Sequence, residues 1–380
     1  MIGPLLAAGL TVVSAAQSPP DTHGWACAYV SNRLPRALLL LGDDAISGEE
    51  TRAEKKRLSL AETVLTRASA LTLARSLGAT RLVMVRCQTE AGGKAENIEA
   101  RAFDAHSPIA GQAIRITRPH EQLPWLVDDL ARILAGAQDT SRLKSLGYPG
   151  ARALDRIGGA LATEAAAERI RGLKEALKED PFSMEVRLMA TDALFAARDF
   201  DSAIQVAVGP PAGESTPELQ RMLRFMGGAA QLEAGRYAEA FETFGALCDE
   251  RETASALNNI GVARFRMRYK DASAFFEKAA ALQDPRRRDI AFNRSLALIF
   301  EGRAEAAVSL LNEALASDPT DTRSRLLKVW SLRVLGREAE REAEWQRLME
   351  IAPSFSSLGA PDLARRLERI FVAERLPLSR

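Results

Sequence analysis

Three hydrophobic patterns follow one another along the chain. The first is an apolar run, Leu5 to Val13, too short for a bilayer-spanning helix, which takes about 20 apolar residues, but of the length of a secretory h-region. Val13 and Ala15 place small residues at the −3 and −1 positions of a cleavage site, and Gln17-Ser18-Pro19-Pro20 would open the mature chain. No Lys or Arg precedes the run, so an apolar start that is not a leader stands as the other reading.

The second pattern is mixed. Arg36 to Gly42 is a short apolar run stopped by Gly-Asp-Asp and predicts a buried strand, with an extra strand open at Cys27 to Ser31. Leu58 to Leu77 has apolar residues at helical spacing and closes at Gly78. Thr80 to Thr89, Asn97 to Ala105 and Gln112 to Thr117 alternate as strands, separated by turns at Ala91 to Lys94 and Pro108 to Gly111. Leu123 to Leu134 predicts an amphipathic helix. The order β-α-β-β-β-α predicts an α+β domain, a small mixed sheet with helices on one face.

The third pattern is a repeat. Pro285, Pro319 and Pro353 lie 34 residues apart, and Gly302 and Gly336 share that step, the period of a helix-turn-helix unit. The segment Ala291 to Pro319 carries Phe292, Gly302, Ala307, Ala314 and a closing Asp-Pro, and it resembles the tetratricopeptide repeat. Further units contain Gly228, Gly235, Tyr237, Ala240 and Phe244; then Gly261, Tyr269, Ala272, Phe276 and Ala279; then Gly336, Trp345, Leu348 and Pro353. A degenerate unit opens at Ala193, Phe200, Ala203 and Ile204, its second helix cut by Gly209-Pro210-Pro211. Small Ala residues let paired helices approach closely, and an aromatic knob fills the neighbouring pocket.

The mixed segment carries Leu77-Gly78-Ala79, Gly92-Gly93-Lys94, Ala102-Phe103-Asp104-Ala105 and Asp128-Asp129-Leu130-Ala131. On these motifs it resembles the amino-terminal α/β domain of TolB and CsgG-like envelope proteins, departing from them at Gly42-Asp43-Asp44. That resemblance implies a periplasmic interaction module and carries over no active-site residue. The expected organisation is a leader over 1–20, a TolB-like α/β domain over 25–138, and a helical linker or degenerate first repeat over 139–181. An all-α tetratricopeptide superhelix over 183–353 follows, then a capping helix and tail over 355–380.

Composition narrows the function. The 380 residues hold 51 Lys+Arg against 50 Asp+Glu, which leaves no positive field for nucleic-acid binding and argues for at most a peripheral membrane contact. Cys27, Cys87 and Cys248 have neither zinc nor redox spacing; Cys27 and Cys87 either pair or are small buried thiols. His23, His106 and His120 lack a metal-ligand frame, Gly92-Gly93-Lys94 lacks the P-loop frame, and Arg286-Arg287-Arg288 has no supporting basic surface. No enzyme, metal or cofactor is expected. The expected function is an envelope scaffold or adaptor that receives a protein or peptide in the concave groove of the repeats. Asn258, Asn259, Asn293, Arg294 and Lys328 are the candidate groove residues, Asn for a peptide backbone and Arg or Lys for a carboxylate. The alternative is a sensor whose α/β domain binds a small ligand and whose repeats relay it. Location is periplasmic on the leader pattern, or cytoplasmic without it.

Overall fold

The computed structural model describes residues 11–352 except 18–24, 44, 47, 61–65, 90–94, 105–109, 120–121, 140, 162, 164, 210–214 and 283–286. The start of the leader, the turn at 91–94, the first half of the turn at 108–111, all three histidines, Pro285, Arg286 and the capping helix lie outside these residues. Two compact units divide between Ala234 and Gly235.

The first unit opens with a four-stranded mixed sheet of strand order β1-β2-β3-β4. Strand β1 (Thr11–Gln17) runs parallel to β2 (Arg81–Thr89), which pairs antiparallel with β3 (Ala95–Asp104), and β3 pairs antiparallel with β4 (Ala110–Pro119). Strict alternation sorts the residues by face: in β3, Ile98, Ala100 and Ala102 are buried while Arg101 is exposed. The three later strands lie where the alternation puts them. The first does not.

Arg36 to Leu40, expected as a buried strand, is the end of helix α1 (Ala26–Leu40), which also absorbs Cys27 to Ser31. An unbroken apolar run has no period that separates a buried strand from a helix buried on nearly every side, and α1 is such a helix, its turns from Asn32 to Leu40 all withdrawn from solvent. The first strand is instead Thr11–Gln17, within the expected leader. A β-branched Thr-Val-Val segment suits both an h-region end and an edge strand, and only pairing with β2 distinguishes them.

The expected single helix over 58–77 is likewise replaced by α2 (Gly48–Arg57) and α3 (Arg67–Ser76). Ser59 at φ 54° ends one, and the Thr66 side chain caps the other. Helices also cover both faces of the sheet rather than one. On one face α1 and α4 (Leu123–Ala135) lie side by side, and Cys87 of β2 is bonded to Cys27 of α1. On the other, Ala70, Leu73 and Ala74 of α3 pack with Leu82 and Phe103.

A short 3-10 helix (Ser141–Leu146) leads into α5 (Ala151–Leu161), α6 (Ala166–Glu179), α7 (Met184–Ala196), α8 (Phe200–Val208) and α9 (Pro217–Glu233), each helix packed on the next. A domain boundary between 138 and 183 was expected. No division falls there, because α7 packs against α2 and is hydrogen-bonded to α1.

The second unit contains α10 (Tyr237–Glu250), α11 (Ala254–Arg266), α12 (Ala272–Ala281), α13 (Arg287–Phe300), α14 (Ala304–Ser317), α15 (Thr322–Val334) and α16 (Glu338–Ile351). These are tandem helix pairs: α11 with α12, α13 with α14, α15 with α16. The first helices of successive pairs also touch one another, α11 with α13 and α13 with α15. Arg268, Gly302 and Gly336 turn each first helix into its second at φ 66°, 82° and 69°, a left-handed conformation that suits Gly and costs an arginine roughly 1–2 kcal/mol.

Gly261 sets the spacing of one pair. A Cβ at this position would stand 2.7 Å from the ring of Phe276, which is fully buried and cannot swing aside. Gly261→Val should therefore destabilise the protein by about 1–3 kcal/mol, read as a lowered urea midpoint; an unchanged midpoint would show that the pair can be spread at no cost.

Candidate functional site

Chemistry-bearing side chains gather at two places, one in each unit. In the second unit the expected groove asparagines are not at a surface. Asn258, Asn259 and Asn293 are 0% exposed. Asn293 donates its amide to Asn258 Oδ1 at 2.8 Å, and Asn258 donates to Asn259 Oδ1 at 3.2 Å. Buried amides must be satisfied, and these spend their capacity holding α13 to α11. Arg294 and Lys328 are partly exposed and already hold carboxylates, Glu277 at 2.5 Å and Glu344 at 2.9 Å. The five residues thus do not form one open site.

The repeat places a different set in register. Phe265, Phe300 and Val334 stand near the carboxy-terminal ends of α11, α13 and α15, at steps of 35 and 34 residues. Phe265 meets Phe300 edge to face at 5.0 Å. Exposure rises along the series, from 7% at Phe265 to 43% at Phe300 and 52% at Val334. Phe265 belongs to the core, while Phe300 and Val334 place two exposed apolar side chains one repeat step apart. The 34-residue period was the signal that could have found them.

The first unit contains a buried charge network that sequence reading missed. Arg33 on α1 holds both oxygens of Asp128 on α4, at 2.8 and 2.9 Å, and donates to Glu185 on α7 at 2.6 Å. Tyr29 donates its hydroxyl to the same Glu185 oxygen at 3.0 Å, and Tyr148 donates to Asp128 at 3.1 Å. Arg36, three residues on, reaches Asp192 of α7 at 3.3 Å. Burial pushes the Asp128 and Glu185 carboxyls upward against the pull of Arg33. Burial and then the nearby Asp128 carboxylate raise the Tyr148 hydroxyl to about 12, so its proton stays on. The available sequence signal was two arginines one helical turn apart inside an otherwise apolar segment, visible only once that segment is read as a helix.

One end of this network opens on a pocket of about 510 Å³. Helical spacing sets Trp125, Asp129 and Arg132 of α4 along its wall after the N-cap residue Gln122, with Lys144, Tyr148 and, at the end of β4, Arg118 completing the lining. Trp125 and Tyr148 stack with ring centres 4.3 Å apart and planes 13° from parallel. Arg118 pairs with Asp129 at 2.6 Å.

No family model matches this chain, and no curated protein does. Among solved structures it is similar to YrrB, a TPR protein with an unusual peptide-binding site, at 14% identity and a TM-score of 0.38, over 52% of this chain and 98% of that one. It is also similar to the MamA protein, at 16% identity and a TM-score of 0.31, over 55% of this chain and 96% of that one. Likeness at this level says nothing of activity or partner. The chain's own geometry shows a mostly helical protein of tandem helix pairs with a small mixed sheet near its amino terminus.

Proposed function

We propose that the protein is a non-enzymatic interaction module of the bacterial cell envelope, with tetratricopeptide-type helix pairs that receive a protein or peptide partner. The observation that carries this reading is the pair of exposed apolar side chains Phe300 and Val334, one repeat step apart. A partner segment with apolar anchors at matching intervals would cover it. Arg294 and Lys328 supply charge that a partner carboxylate would take over from Glu277 and Glu344. The envelope location is supported by the Cys27–Cys87 bridge, since such bonds persist in oxidising compartments, and it agrees with the TolB-like motifs. Among the described residues no helix is long and apolar enough to cross a membrane.

The test is affinity capture from an envelope extract with the wild-type chain and with Phe300→Asp plus Val334→Asp. The expected result is a partner bound at least tenfold more weakly by the variant, whose helical circular dichroism is unchanged. Equal binding would sink the surface assignment.

A second reading, a ligand sensor, is favoured by one observation: the Asp128–Arg33–Glu185 chain of contacts links the pocket wall on α4 to α7, within the run of successive helices α5 to α9 of the first unit. A ligand that shifts Asp128 or Tyr148 acts directly on that helix.

A further inference from the structure

Burying Arg33, Asp128 and Glu185 together is a costly way to join helices, because desolvation removes several kcal/mol per ion and a well-packed apolar core would hold as well. What the network does that an apolar core would not is fix polar groups in position. Asp128 is clamped on both oxygens, so the Tyr148 hydroxyl it accepts from is held, and the Arg33 guanidinium lies 5.4 Å from the centre of the Tyr148 ring. The ring is thereby set parallel to Trp125. Trp125 is 43% exposed although it is a large apolar side chain. The outcome is a rigid two-ring platform standing at the edge of a pocket.

Charge balance around the platform is uneven. Asp128 is answered by Arg33 and Asp129 by Arg118. Arg132, one helical turn beyond Asp128 and Asp129, and Lys144 on the facing 3-10 helix are exposed, and no ion pair is found for either among the described residues. Two cations therefore face a pocket whose acids are already neutralised.

We propose that this pocket binds a small planar aromatic anion, its ring laid on Trp125 and its carboxylate or phosphate held by Arg132 and Lys144. Neither half of the site specifies this alone: a free inorganic anion has no use for the ring platform, and a neutral arene has none for the paired cations. The volume of about 510 Å³ admits one ligand the size of a nucleoside monophosphate. The proposal names the ligand class for the sensor reading and rests on that reading only for what happens after binding.

The test is calorimetric titration of the full-length protein with adenosine 5′-monophosphate, indole-3-acetate, adenosine and inorganic phosphate. At least one of the two aromatic anions should bind one to one, and adenosine and phosphate at least tenfold more weakly. Trp125→Leu, and separately Arg132→Gln with Lys144→Gln, should each weaken binding tenfold or more, while Trp125→Phe retains most of it. All these side chains are exposed, so the variants should keep the wild-type melting temperature; the double Gln variant decides the matter if the Leu variant does not. The proposal is overturned if neither aromatic anion binds, if phosphate binds as tightly as they do, or if the double Gln variant binds normally. Binding that leaves partner capture unchanged would uphold the pocket and refute the relay.

Discussion

Arg33→Met should cost about 3–5 kcal/mol of folding stability, because it leaves two buried carboxylates without their cation. Asp128 loses both of its bonds to the guanidinium, at 2.8 and 2.9 Å, and Glu185 loses the 2.6 Å contact. Glu185, 0% exposed, cannot turn to water, and Asp128, 7% exposed at the pocket wall, can do so only in small part. Its Glu185 Oε1 is already buried with no hydrogen-bond partner among the described residues, so the site has little slack. The measurement is urea unfolding followed by tryptophan fluorescence, which reports on this region through Trp25 and Trp125. Adding Asp128→Asn and Glu185→Gln to Arg33→Met should recover much of the loss, as removing a whole buried ion cluster is far cheaper than removing one member. A loss below about 1 kcal/mol for the single variant would mean that water reaches the site and that the network does not organise α1, α4 and α7.

Removing the Cys27–Cys87 bridge is expected to cost about 4 kcal/mol, the chain-entropy value for a closed loop of its size. The two cysteines are 60 residues apart, and the loop between them contains nearly all of α1, all of α2 and α3, and most of β2. The bond acts mainly on the unfolded chain, by limiting how far those elements separate. It also pins α1 to the face of the sheet that carries Val83 and Val85. Cys27→Ala with Cys87→Ala, compared with the oxidised wild type in urea, gives the difference directly. Cys248, the remaining cysteine, takes part in no disulfide. Equal midpoints would indicate either that the thiols are reduced in the native protein or that its unfolded state is already compact around this loop.

The two charge-bearing features differ in how visible they were. Arg294 and Lys328 were legible as polar positions on first helices, and the structure leaves both partly exposed. Asn258, Asn259 and Asn293 were equally legible as polar, yet they are interior. Hydrogen bonding between α11 and α13 satisfies them, and such pairing depends on which helices become neighbours, which no local pattern reports. Arg33 was hidden for a related reason. Its segment carries a long apolar run, and a charged residue beside a presumed strand looks like a boundary rather than a buried anchor.

What the sequence by itself determined was carried by a period, namely the 34-residue step of the helix pairs, the alternation of β2, β3 and β4, and the apolar stripe of α4, although the helical spacing over 58–77 did not yield one helix. Periodicity records which side of an element faces the core, and that is a local property. The tertiary structure alone decided which segment became the first strand, which faces of the sheet were covered, and which acids met Arg33. Each of these depends on partners distant in the chain, Thr11 with Arg81, Cys27 with Cys87, Arg33 with Glu185. Pairings at such separations are selected by the packing of the whole unit, so they have no signature within any one element.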